Sequence, residues 1–156
     1  MQVTLQAVTA SAIAGGLFYT AVQFRAARRA QHFANFAKLV DMQMHLREMR
    51  VTDPALAAVY RHDVEHAVGP DRDRAIREYF FNLMQLSIFE IVWYGRRAGQ
   101  VPEDYFRSWE SRMRDIAAEP SFRIMWNSPG MKIMHDEFQQ YMAALVRATP
   151  ELTRSN

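Results

Sequence analysis

From Met1 to Phe24 the chain carries no Asp, Glu, Lys or Arg, and apolar or small residues fill most positions. Wound as a helix, Val3 to Phe24 would be about 33 Å long, against a bilayer core of roughly 30 Å. The pattern predicts one transmembrane helix over residues 1–24. Arg25, Arg28 and Arg29 follow at once, while only the terminal amine is charged before the span. The positive-inside rule then leaves the amino terminus outside and the carboxyl-terminal part in the cytoplasm. Small residues at Ala10, Ser11 and Ala12 suit a signal-peptidase site, but a secretory signal carries its basic residues ahead of the apolar run, so a retained anchor is expected.

The anchor is weakly apolar, with Thr4, Gln6, Thr9, Ser11, Thr20 and Gln23 among many alanines. A helix of this kind gains from company in the membrane. Ala7, Ser11 and Gly15 recur at four-residue spacing, and Ala12 with Gly16 forms an adjoining row, so another helix backbone could approach closely there. These five residues are the expected helix-packing positions, against a second membrane subunit or another copy of the anchor.

No proline or glycine interrupts residues 17–53, which predicts that the anchor continues as a juxtamembrane helix over 25–50. Along it Phe33, Ala37, Val40 and Met44 form one apolar row and Leu39, Met42, Leu46 and Met49 another, a face broad enough to pack onto a domain. That domain is expected over 51–148 as a bundle of about five helices. Asp53-Pro54 is a capping pair for a helix running to about Val68, and Gly69-Pro70 stops it. In Asp71–Arg97 the 16 residues from Tyr79 to Tyr94 hold a single charge, Glu90, marking a central buried helix. Pro102 opens a helix facing inward with Phe106, Trp109, Met113 and Ile116, and Glu119-Pro120 ends it. A short turn follows at Phe122–Trp126. Ser128-Pro129 then predicts the start of a last helix, with Ile133, Phe138, Tyr141, Met142 and Leu145 inward and residues 149–156 frayed. No alternating strand pattern competes, so the fold class is all-α.

The order of these features resembles an uncharacterised group of small bacterial proteins with one amino-terminal span and a helical domain. The residues that carry the likeness are Gln23-Phe24-Arg25 with Arg28 and Arg29, Asp53-Pro54-Ala55-Leu56 with Tyr60-Arg61, Phe89-Glu90 with Trp93-Tyr94 and Gly99, Trp109, and Ser128-Pro129-Gly130. The resemblance implies a domain of unknown function in a bacterial inner-membrane setting and brings no catalytic residue.

Composition changes the picture little. The 156 residues allow one core, and 49% hydrophobic with 23% charged residues is ordinary for a globular chain. The net charge of +2 is uneven: residues 25–50 hold six basic and two acidic side chains, and residues 51–156 hold 13 basic and 15 acidic ones. A slightly acidic domain argues against nucleic acid as a partner. The absence of cysteine excludes disulfides, thiolate zinc sites and cysteine nucleophiles.

Candidate chemistry is sparse. His62 and His66 stand four apart, with Asp63 and Glu65 beside them, and that spacing can put two imidazoles on one metal. Such a site needs further ligands, from His32, His45, His135 or Asp136, and a solvated charged face is the expected state. Glu90 is the stronger single carboxylate. Its ionisation inside an apolar helix requires a partner, and a buried ion pair with Arg97, Arg112, Arg114 or Arg123 is expected. The aromatic set Phe80, Phe81, Phe89, Trp93, Tyr94, Phe106, Trp109, Phe122 and Trp126 is expected to fill the core. Arg25, Arg28 and Arg29 are expected at the anionic inner leaflet.

These features predict a non-catalytic accessory or scaffolding subunit of a larger membrane assembly. It would be held in the bacterial inner membrane by a single span, with lipid and a second membrane subunit as partners and no cofactor. A regulatory module binding an apolar molecule, and a membrane-tethered metal-dependent hydrolase, are the alternatives.

Overall fold

The computed structural model describes residues 2–59, 65, 67, 69–129 and 132–152, and of residues 2–5, 7 and 8 the backbone alone. Among these the chain is all-α. Helix α1 (Gln2–Thr52) leads through a 3-10 helix (Pro54–Val59) to α2 (Arg72–Arg97), α3 (Glu103–Ala118), α4 (Pro120–Asn127) and α5 (Asp136–Ala148).

Helix α2 is central because its residues are apolar on nearly every side. Ile76, Tyr79, Phe80, Leu83, Leu86, Phe89, Val92 and Trp93 are all buried. Phe89 lies against Phe106 of α3 and Phe138 of α5, with ring centroids 6.0 and 5.8 Å away. Phe122 and Met125 bring α4 into the same core, and Met142 and Leu145 bring α5. The Tyr141 hydroxyl donates to Glu110, tying α5 to α3, and burial raises the hydroxyl well above the usual phenol range. Of the aromatic set expected in the core, Phe81 is instead exposed, and Tyr94, Trp109 and Trp126 are partly buried against it.

Helix α1 runs unbroken for 51 residues, about 76 Å at the usual rise. Its two halves have different surroundings. Residues 9–32 are exposed throughout, whereas from Phe33 onward one face packs on the bundle, chiefly on α2. The inward row is Phe33, Ala37, Val40 and Met44, as its spacing predicts, and it extends to Arg47, which is only 5% exposed. The second row does not pack: Leu39, Met42, Leu46 and Met49 remain exposed. One helix can press a single stripe onto α2, and the other row lies beyond that contact. At Gly95 there is no room for a side chain: an added Cβ would stand 2.7 Å from Val101 Cγ2 and 2.9 Å from the Phe33 ring of α1.

The charge-free start of α1 is less apolar than its lack of charge suggests. Among the described residues no helix is long and apolar enough to cross a membrane. Gln6, Thr9, Ser11, Thr20 and Gln23, with alanine and glycine in many of the remaining places, dilute Ile13, Leu17, Phe18 and Val22. The transmembrane assignment of residues 1–24 therefore does not follow from the fold.

Several boundaries differ from the sequence expectation. Asp53 does cap, its Oδ1 accepting from the Ala55 N–H at 3.0 Å, but the turn it opens is 3-10 over Pro54–Val59, and most residues up to Val68 lie outside the described set. Ser128 ends α4 rather than starting a helix: its hydroxyl donates to the Met125 carbonyl at 2.9 Å. The last helix begins at Asp136, capped by His135 Nδ1, which accepts from the Glu137 N–H at 3.3 Å. The tail is held as far as Leu152, whose N–H donates to the Ala118 carbonyl at 2.9 Å, while Arg123 donates to the Thr149 carbonyl.

Candidate functional site

Three elements meet around Glu90. It sits on α2 at the end of the inward stripe, where α1 crosses in front of it and the segment Lys132–His135 passes beside it before α5 begins. The carboxylate is 2% exposed, yet it lines a groove of about 540 Å³. One wall is α1, with Phe36, Leu39, Val40 and Leu46, and the other is Ile133 and Met134. Glu90 is the one acidic side chain lining this groove among the described residues.

Glu90 Oε1 accepts a hydrogen bond from the His135 backbone N–H at 2.6 Å. That bond ties the segment carrying the Ile133 and Met134 wall to α2. No donor to Oε2 occurs among the described residues. Burial pushes the carboxyl above the usual glutamate range, opposed by the His135 N–H and, more weakly, by the charges of His135 and Arg47. Desolvation dominates because apolar side chains supply most of the surroundings.

The arginine whose charge acts on Glu90, beside that of His135, is Arg47 of α1 and not one of those expected from the sequence. Arg97 pairs with Glu137, Arg114 with Glu110 at 3.2 Å, and Arg123 donates to the Ala117 and Thr149 carbonyls. Arg47 is buried, and its guanidinium donates to the Leu83 carbonyl at 3.0 Å and to the Ser87 hydroxyl. Sequence reading missed Arg47. The signal was present, since Arg47 continues the row of Val40 and Met44, and a cation on an inward stripe requires buried acceptors.

The other expected site residues fall apart from this groove. Ser11, Ala12, Gly15 and Gly16 are exposed on the projecting half of α1, and an added Cβ at either glycine would meet nothing within 4 Å. The Ala7 side chain lies outside the described set. Arg25, Arg28 and Arg29 are exposed near the middle of the same helix, with the Arg28 guanidinium 5.0 Å from the Phe24 ring centroid. His62, Asp63 and His66 also lie outside the described residues. Among those described, no group of three His, Cys, Asp or Glu side chains could hold a metal ion.

The residues that shape this site come from α1, α2 and the approach to α5, so any likeness to known proteins has to span the whole chain. A family match does so, over residues 2–155. The chain belongs to DUF6082, a family of unknown function. No curated protein and no solved structure matches it. Membership in DUF6082 agrees with the uncharacterised family expected from the sequence. The chemistry has to be read from the groove itself: one carboxylate among mostly apolar walls, with no donor to Oε2 among the described residues, an arrangement suited to holding a hydrogen-bond donor.

Proposed function

We propose that the chain is a non-catalytic accessory subunit of a membrane assembly, tethered through the projecting half of α1. The observation that carries this reading is the lack of cover on residues 9–24. Phe18 is 74% exposed and Leu17 68%, and the stretch contains no charge that would keep such a rod in water. Large apolar side chains left uncovered on an uncharged stretch suit contact with lipid or another protein.

The dilution of the stretch by glutamine, threonine and alanine fits insertion in company better than insertion alone. Ser11 and Gly15 would admit a partner helix closely, with Ala12 and Gly16 beside them, and Gln6 or Gln23 would find hydrogen bonds there. Arg25, Arg28 and Arg29 would then stand at the inner leaflet of a bacterial inner membrane. The bundle follows on the cytoplasmic side.

Fractionation of cells making the full chain tests the reading. The expected result is retention in the membrane pellet after carbonate extraction, with migration above monomer size in mild detergent. Replacing Ser11 and Gly15 by leucine should return the detergent-extracted species to monomer size while leaving it in the pellet. Intact full-length chain in the supernatant after ultracentrifugation of the lysate overturns the proposal.

A further inference from the structure

The groove at Glu90 is a separate matter from the projecting helix, since every residue that builds it lies within the bundle or on the packed half of α1. Its volume of about 540 Å³ falls inside the 300–1,000 Å³ range of small-molecule sites. Its walls offer aliphatic and aromatic carbon, and its floor offers a carboxylate oxygen with no donor among the described residues. A buried carboxylate in that condition is costly unless something donates to it.

We propose that this groove binds a small amphiphilic amine, its apolar body lying between Leu39 and Leu46 of α1 and Ile133 of the opposite wall and its ammonium donating to Glu90 Oε2. Charge complementarity selects the ammonium. A cationic donor to a carboxylate makes a hydrogen bond roughly twice as strong as a neutral donor does, and it neutralises a charge that burial disfavours. The shape selects a primary amine. Glu90 is almost fully covered, so the head that reaches it must be slender, and an ammonium on a flexible stem is more compact than a planar guanidinium. Gln43 also lines the groove and brings an amide oxygen that can take a second ammonium N–H. The leucines have no other cover among the described residues: Leu39 is 67% exposed and Leu46 56%.

A head-group series on one apolar body tests the assignment: 4-phenylbutylamine, 4-phenylbutanol and 4-phenylbutyrate, titrated against the full chain in nanodiscs of neutral lipid. Binding is read from the Glu90 side-chain carboxyl resonance in glutamate-labelled protein and from heat. The amine is expected to bind saturably at least about tenfold more tightly than the alcohol, a difference of roughly 1.4 kcal/mol, with the acid weakest. Glu90→Gln keeps an oxygen for the His135 N–H and should bind amine and alcohol alike. Leu39→Gln with Leu46→Gln, both at exposed positions that leave the core intact, should weaken all three ligands together. Equal binding of amine and alcohol by the unaltered chain overturns the proposal. So does an amine preference that survives Glu90→Gln, or amine binding that the leucine variant leaves unchanged, or no saturable binding of the amine.

Discussion

At the scale of single residues, Glu90 sets a pH dependence whose sign is fixed by its surroundings. Burial raises its pKa in the folded chain above the value in the unfolded chain. The folded state therefore holds the proton more tightly, and stability falls as pH rises through the folded pKa. Glu90→Gln removes that dependence and keeps the acceptor for the His135 N–H. Thermal unfolding from about pH 4 to pH 8, a range that begins near the ordinary glutamate value, should show the two proteins converging at the acid end. The variant should be the more stable at the alkaline end. Parallel curves would mean that Glu90 titrates alike in the folded and the unfolded chain.

At the scale of helices, the α1–α2 crossing depends on a glycine. Gly95 lies under Phe33 and beside Val101, and a methyl group there would overlap both. Gly95→Ala improves helix propensity by about 1 kcal/mol, but overpacking costs typically 1–3 kcal/mol, and Val101 is too short a side chain to swing aside. The expected net effect is a loss of roughly 1 kcal/mol in denaturant unfolding, recovered in part by adding Val101→Ala. A simple gain in stability would show that α1 does not press on α2 at that point. The sequence made much of this level legible. The inward row of α1, the buried centre at Tyr79–Tyr94 and the break at Glu119-Pro120 were readable because apolar spacing and backbone chemistry act locally. The start of the last helix was not, because Ser128 has the same chemistry whether it opens a helix or closes one. The choice is associated with a tertiary contact, the His135 N–H on Glu90 forty-five positions away in sequence. The groove was hidden for a related reason: Leu39 and Leu46 look like core residues in sequence, and only the single-stripe packing of α1 leaves them facing Ile133 across open space.

At the scale of the whole molecule, charge and exposure divide the chain at about residue 30. The amino-terminal rod ends in Arg25, Arg28 and Arg29, whereas residues 51–156 carry two more acidic than basic side chains. An anionic surface therefore attracts the collar and mildly repels the bundle, and the two forces act in opposite senses about the rigid helix that joins them. At such a surface the result would be an orienting torque as well as an attraction, and the bundle would turn away from the lipid headgroups. Each near-surface arginine contributes on the order of 1 kcal/mol at an anionic leaflet, and the interaction fades beyond about a Debye length. Replacing all three by glutamine should lower partition onto phosphatidylserine-containing vesicles by roughly a hundredfold at low salt, about 3 kcal/mol in all. On vesicles of neutral lipid the same variant should partition as the unaltered chain does, since the uncharged rod is unchanged. Sedimentation with both kinds of vesicle at two salt concentrations separates the contributions. A loss of equal size on neutral lipid would place the arginines in packing rather than in electrostatic attachment.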